Sequence, residues 1–182
     1  MIELADKILA IDASLEDAAV PHAFGGALAL AFHTAEPRGT RDIDVNVFCP
    51  PTSAAEAFAA LPAGVAWTGA DVRTVERDGQ VRLFWDETPV DLFFSTAAFH
   101  DQAAEHIREV RFVGTTIPIL GADELLVFKA FFDRRKDWAD IEEIVRAGTA
   151  DVHQAMGWLV DLLGADDDRV GRLRDLVREL RA

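Results

Sequence analysis

Apolar positions recur at helical spacing from the start of the chain. Leu4, Ile8, Leu9, Ile11 and Leu15 predict an amphipathic helix over residues 3–19. A short strand, HAF, then leads into Gly25-Gly26, and ALALAFH reads as a second helix. EPRGT is turn chemistry, and DIDVNVF alternates with enough β-branched residues to be a strand. PPTSAAEAFAAL predicts a helix capped near Thr52 or Ser53. From about 65 to 95 the pattern reads as strands: VAWTG, DVRTVER, QVRLFWD and PVDLFFS. The RDGQ and DETP segments between them are turns, so this region is expected to form hairpins.

TAAFHDQAAEHI is helical, and REVRFVGTTIPIL is one or two strands closing at Gly121. One long helix, or two, follows, with an acidic first turn at Ala122-Asp123-Glu124 and a glycine stop at Gly148. Two more helices are expected at about 151–163 and 167–181. The last carries a docking stripe of Val170, Leu173, Leu176, Val177 and Leu180. The expected fold class is α+β: a small mixed sheet flanked by helices, with a helical C-terminal part. The composition shift near Gly121 divides the chain into a core, 1–121, and a helical part, 122–182, packed on it.

Composition narrows the choice of function. Half of the 182 residues are apolar, so a sizeable core is expected. No uncharged apolar run reaches 18 residues, so no membrane partner is expected. The acidic start, with Glu3 and Asp6, is unlike a basic signal peptide, and a cytoplasmic location is the expectation. The single Cys49 excludes an internal disulfide and reads as a small hydrophobe. A net charge of −14 disfavours long acidic polymers, and DNA is not an expected partner. A nucleotide held through bound cations is not disfavoured, because the cations invert the local sign.

The chemistry concentrates in a few positions. Residues i and i+2 of a strand share a face, so Asp42 and Asp44 project side by side while Ile43 and Val45 enter the core. Adjacent carboxylates repel unless a cation lies between them or one is protonated. Either this is a polar strand end facing water, with Asp42 capping a turn, or it is a divalent-cation site. Mg²⁺ fits the second reading, since it takes one or two carboxylates plus phosphate oxygens. Gly25-Gly26 lies between a strand and a helix, where glycines admit close backbone approach and the helix N-terminus favours phosphate; a plain tight turn is the alternative. Asp91 stands among Val90, Leu92, Phe93 and Phe94, an apolar context that demands a partner. Lys129 interrupts LLVFKAFF; it either snorkels to water, with Asp133 one turn on as a partner, or is held by a carboxylate or phosphate. DRRKDWAD reads first as a solvated helix face with ion pairs, with a substrate or RNA contact as the alternative, and Trp138 within it is the tryptophan to suspect near a ligand. The five histidines show no zinc-site spacing and read as surface or half-buried.

In order, Gly25-Gly26, a short helix, Asp42-Ile43-Asp44 and the later Asp91 resemble the nucleotidyltransferase superfamily with the DNA polymerase β-like fold. RGTRDIDV is similar to the Arg/Lys-x-Thr/Ser-x-Asp-x-Asp form of stand-alone bacterial members, including the AbiEii-like toxin group. LLVFKAFFDRRKDWADIEEI resembles their following helix, with Lys129, Lys136, Asp137 and Asp140 in a K…K-D-x-x-D pattern. The resemblance spans roughly residues 20–145. One departure is Ala27, where many relatives carry a Ser that touches the triphosphate.

The resemblance implies attack of an acceptor hydroxyl on the α-phosphorus of a nucleoside triphosphate, with two Mg²⁺ ions, or Mn²⁺, bound by Asp42, Asp44 and Asp91. Asp91 would also take the hydroxyl proton. Gly25, Gly26, Thr40 and Lys129 would bind nucleotide. Arg38 and Arg41 would either reach the triphosphate or pair with Glu36 and Asp42. The acceptor would be a small molecule such as an aminoglycoside-type antibiotic, which suits an acidic protein, or tRNA for a toxin, or a protein side chain. A toxin reading brings an antitoxin or other protein partner. The rival class is a non-catalytic binding module that keeps the fold and acts through a protein partner.

Overall fold

A computed structural model describes residues 3–34 and 39–180. Seven strands form one mixed sheet: β1 (His22–Phe24), β2 (Ile43–Val47), β3 (Val65–Ala66), β4 (Gln80–Trp85), β5 (Thr88–Phe94), β6 (Arg108–Phe112) and β7 (Thr115–Ile119). Their order across the sheet is β3-β4-β5-β2-β1-β7-β6. β2 runs parallel to β5 and β1 parallel to β7; the other neighbours are antiparallel. The helices are α1 (Leu4–Asp17), α2 (Gly26–Thr34), α3 (Ala54–Ala59), α4 (Gly69–Asp78), α5 (Ala98–Glu105), α6 (Ala122–Phe132), α7 (Arg135–Ala147), α8 (Val152–Leu163) and α9 (Asp168–Leu180). One hydrophobic cluster runs from Ile8 to Leu173 and unites sheet and helices.

Alternation along β5 sets the two faces of the sheet. Val90, Leu92 and Phe94 are buried on one face, while Pro89, Asp91 and Phe93 are half-buried on the other. α1 docks by its Ile8, Ile11 and Leu15 stripe, and its buried Lys7 reaches the β4–β5 turn, donating to the Trp85 carbonyl at 2.8 Å and to Thr88 Oγ1 at 3.0 Å. α2, α6 and α7 pack together, with α2 also on β2; α8 and α9 complete the helical layer on α6.

The segment DVRTVER is helix α4, not a strand. Its β-branched residues suggest extension, but Thr68 and Asp71 form a capping box: Thr68 Oγ1 accepts from Ala70 N at 3.2 Å, and Asp71 Oδ2 from Thr68 N at 2.7 Å. Gly79 ends the helix at φ 70°. The helix after Pro50 enters through a 3₁₀ turn, Pro51–Ser53, with no side-chain cap on α3. The stretch after Gly121 is two helices, broken where Asp133 adopts φ 54°. Asp42 lies one residue before β2.

Candidate active site

The parallel pairing of β2 and β5 places Asp44 directly beside Asp91. Asp42, two residues before Asp44, and the buried Asn46, two after it, extend the row. The sequence thus points to a real cluster: Asp42, Asp44 and Asp91 share one face of adjacent strands.

The glycine pair is required by this row. Gly26 has φ 54°, and a Cβ there would lie 1.8 Å from Asp44 Oδ2. A Cβ on Gly25 would lie 2.8 Å from Asn46 Nδ2, and the Gly25 N–H donates to the Asp44 carbonyl at 2.9 Å. The N-terminus of α2 is thereby pressed onto the carboxylate. Burial raises the Asp44 carboxyl above the usual range; the negative charge of Asp91 adds to this, Lys129 and Lys136 oppose it, and Asp42 adds a little more. Among the described residues no hydrogen bond reaches the Asp44 carboxylate.

Arg82 is the residue that sequence reasoning missed. It sits opposite Asp91 in the antiparallel β4–β5 pair. Its Nε and Nη2 donate to the two Asp91 oxygens, both at 2.7 Å, and Nη2 also reaches Asp42 Oδ2 at 3.2 Å. The signal was present: a two-residue turn, Asp86-Glu87, makes Trp85 face Thr88, and counting back places Arg82 against Asp91. Asn46 was missed as well, because it reads as ordinary strand polarity.

The donor set suits a hard divalent cation: carboxylate oxygens on neighbouring strands, one of them half-buried and without a hydrogen-bond donor among the described residues. As they stand, however, no three His, Cys, Asp or Glu side chains among the described residues are disposed to hold a metal ion. The two outer carboxylates are turned to the Arg82 guanidinium. The residues therefore fit Mg²⁺ once Arg82 releases Asp91.

The remaining candidates divide. Lys129 does not snorkel: it is 6% exposed, and its Nζ donates to Asp140 Oδ2 at 2.7 Å and lies 3.8 Å from Asp137 Oδ1. Its partner is not Asp133, which accepts from Trp138 Nε1 at 2.6 Å. Within DRRKDWAD, Asp133, Arg134, Arg135, Lys136 and Ala139 are exposed as a solvated face requires, while Asp137, Trp138 and Asp140 are buried on the other side. Trp138 is buried with the Arg172 guanidinium 4.2 Å from its ring centre, a contact between α7 and α9 rather than a ligand platform. Lys129 and Arg134 line the cleft at Asp44, whereas Arg135 lies in the groove between α7 and α9. Thr40 Oγ1 bonds the Asp42 backbone, accepting from its N–H at 3.2 Å and donating to its carbonyl at 3.1 Å, so Thr40 shapes the approach to the row. Arg41 is exposed, and Arg38 lies outside the described residues. His22 is buried, with Nδ1 2.9 Å from the Val20 carbonyl and Nε2 3.0 Å from Asp12 Oδ1, a structural contact remote from the carboxylates.

No family model matches the sequence, and no curated protein matches it. Solved structures do: the chain has the fold of the nucleotidyltransferase superfamily. It is similar to the antibiotic-resistance factor ANT(2'')-Ia in solution (TM-score 0.55, 15% identity, 96% of this chain and 91% of that one). The crystal structure of ANT(2'')-Ia with adenylyl-2''-tobramycin gives a TM-score of 0.57 at 16% identity, covering 98% of each chain. The lincosamide antibiotic adenylyltransferase LnuA, with lincomycin bound, gives 0.51 at 15% identity, covering 76% of this chain and 94% of that one.

Proposed function

We propose that this protein is a divalent-metal-dependent nucleotidyltransferase that moves a nucleoside monophosphate from a nucleoside triphosphate to a hydroxyl of a small molecule. The observation that carries the reading is the Asp44–Asp91 register with Gly26 closed onto Asp44. That arrangement gathers carboxylates at a helix N-terminus, where phosphate also binds well. Asp42, Asp44 and Asp91 would hold Mg²⁺ or Mn²⁺, which would supply Lewis-acid stabilisation of the phosphate oxygens. The free N–H groups that begin α2 face the triphosphate, with Arg134 and Lys129 at the cleft wall. The acceptor oxygen bonds to the α-phosphorus, the bond to the bridging oxygen breaks, and pyrophosphate leaves. Asp91, released from Arg82, takes the hydroxyl proton.

Small-molecule acceptors are favoured by the likeness to proteins described with tobramycin and lincomycin. A tRNA acceptor is disfavoured by the net charge of −14 and by the lodging of Arg135 in the α7–α9 groove, which leaves Arg134 and Lys136 as the basic residues of this segment near Asp44. The second reading, a non-catalytic binding module, is favoured by one observation: Arg82 closes two of the three carboxylates. The test is a thermal melt with each nucleoside triphosphate and Mg²⁺, on wild type and Asp44→Asn. A bound ligand at about 100 times its Kd adds about 2.7 kcal/mol, a rise of several degrees. The transferase reading expects a metal-dependent rise that Asp44→Asn abolishes. No rise with any nucleotide establishes the binding module instead.

A further inference from the structure

Beside the carboxylate cleft lies a separate cavity of about 350 Å³. It opens between the end of β5, the α4–β4 turn, and helices α5, α6 and α8. Its walls are aromatic: Phe93, Phe99, Phe128, Phe131 and Phe132 all contribute. Phe93, Phe128 and Phe132 also wall the cleft that holds Gly26 and Asp44, so the two spaces share one partition. Within that partition the Phe93 and Phe132 rings lie 5.5 Å apart. Phe93 follows Asp91 by two residues on the same strand face, a distance of roughly 7 Å along the strand.

The cavity has the size of a small-molecule site, typically about 300–1,000 Å³. Phe131 is 41% exposed at its edge, an apolar surface left facing water. Six of the sixteen lining residues are polar or charged, namely Glu76, Arg77, Asp78, Gln80, Thr96 and His100, and they gather on the α4–β4 and α5 side. Asp78 is bound by Arg77. Glu76 stands at the mouth with no partner among the described residues. His100 lines the wall against Phe128, ring centres 5.2 Å apart, and its Nδ1 lies 3.2 Å from the Ala97 carbonyl. A polycation placed here would desolvate ammonium groups that Glu76 and the Arg77-paired Asp78 are too few to match.

Building on the transferase reading, we infer that this phenylalanine cavity is the acceptor subsite, and that the acceptor is a hydroxylated molecule with an apolar ring or alkyl part and at most one positive charge. The apolar part fills the cavity. The reacting hydroxyl projects past Phe93 toward Asp91, about two strand residues away. The overall charge of −14 favours cationic acceptors in general, but the lining of this cavity selects a singly charged or neutral one.

Neutral phenylalkanols (benzyl alcohol, 2-phenylethanol and 3-phenylpropanol) probe the cavity. Saturation-transfer NMR on the wild-type protein should show strong transfer to their ring protons, displaced by lincomycin but not by equimolar tobramycin. Phe131→Glu and Phe99→Leu, both outside the wall shared with the Asp44 cleft, should each reduce the transfer at least threefold while the melting shift with Mg²⁺ and the preferred nucleoside triphosphate persists, which also shows that the variants are folded. Two results overturn the inference alone, with nucleotide binding intact: no transfer in wild type, or transfer indifferent to both substitutions. Displacement by tobramycin in preference to lincomycin overturns the charge limit and so the stated acceptor class. Phenylalkanol binding without a melting shift for any nucleotide overturns the transferase reading, and the acceptor role with it.

Discussion

Asp44 carries opposing demands. A half-buried carboxylate beside Asp91 costs the metal-free fold, yet the proposed chemistry needs it charged. Its pKa is raised in the folded protein, so the folded state holds the proton more tightly than the unfolded chain. The linkage sign follows: stability from this group is present at low pH and is lost as pH rises from the ordinary aspartate range through the raised value. Asp44→Asn removes that loss. In metal-free buffer at neutral pH the variant should melt higher, by about 2–4 °C if the gain is about 1 kcal/mol, and the gain should shrink toward acid pH. The same variant should lose all transfer activity. A melting point below wild type would contradict the electrostatic account. Gly26→Ala should do the reverse. With φ 54° and 1.8 Å to Asp44 Oδ2, it should lower stability by about 1–3 kcal/mol and abolish the nucleotide-dependent shift. Arg82→Gln frees Asp91 and Asp42 from a guanidinium, and Mn²⁺ titration should then show at least a tenfold tighter Kd. An unchanged Kd would mean that Arg82 does not compete with the cation.

At the level of elements, the region between Thr68 and Phe94 separates what a one-dimensional pattern shows from what it hides. The aspartate pair is legible because strand period places i and i+2 on one face, whatever the neighbours. Asp91 is legible because an acid among apolar residues needs a partner. Arg82 is hidden, since its meaning depends on the strand beside it. α4 is hidden because Val72, Thr74 and Val75 favour extension, while a four-residue cap at Thr68–Asp71 decides for helix. Thr68→Ala should therefore cost about 1 kcal/mol, read as a fall in Tm of about 2–4 °C. The Lys129–Asp140 pair is hidden for a different reason: it spans the break at Asp133, and no helical spacing brings residues 11 apart together. It joins α6 to α7 at the cleft wall. Lys129→Met leaves buried acid behind and should cost about 3 kcal/mol. If Lys129 also contacts phosphate, nucleotide affinity will fall beyond what the lost stability explains.

Over the whole molecule, the architecture is legible in outline, from alternating strands and helices to about residue 120 and helices thereafter. Strand order is not: β1 lies between β2 and β7, far from its order in the chain, with α2 and α6 packed together beside it. The net charge of −14 acts at this scale. Self-repulsion weakens a compact acidic protein, so Tm should rise as NaCl goes from about 10 mM to about 150 mM, where the Debye length falls to about 8 Å. A flat melting curve across that range would show that the acidic groups are locally balanced by the many ion pairs on the helices.

The turn at Asp86-Glu87 also acts as a ruler for the site. Four positions from it, a side chain on β4 meets its opposite number on β5, and that count alone sets Arg82 against Asp91. One inserted residue that shifted the register by one would rotate every β4 side chain to the other face, sending Arg82 toward the core and Leu83 toward the carboxylates. Natural variation in the length of this short loop would therefore be felt at the carboxylate row rather than at the surface, and Lys7, bound to the Trp85 carbonyl and Thr88 on either side of the turn, holds that length count in place.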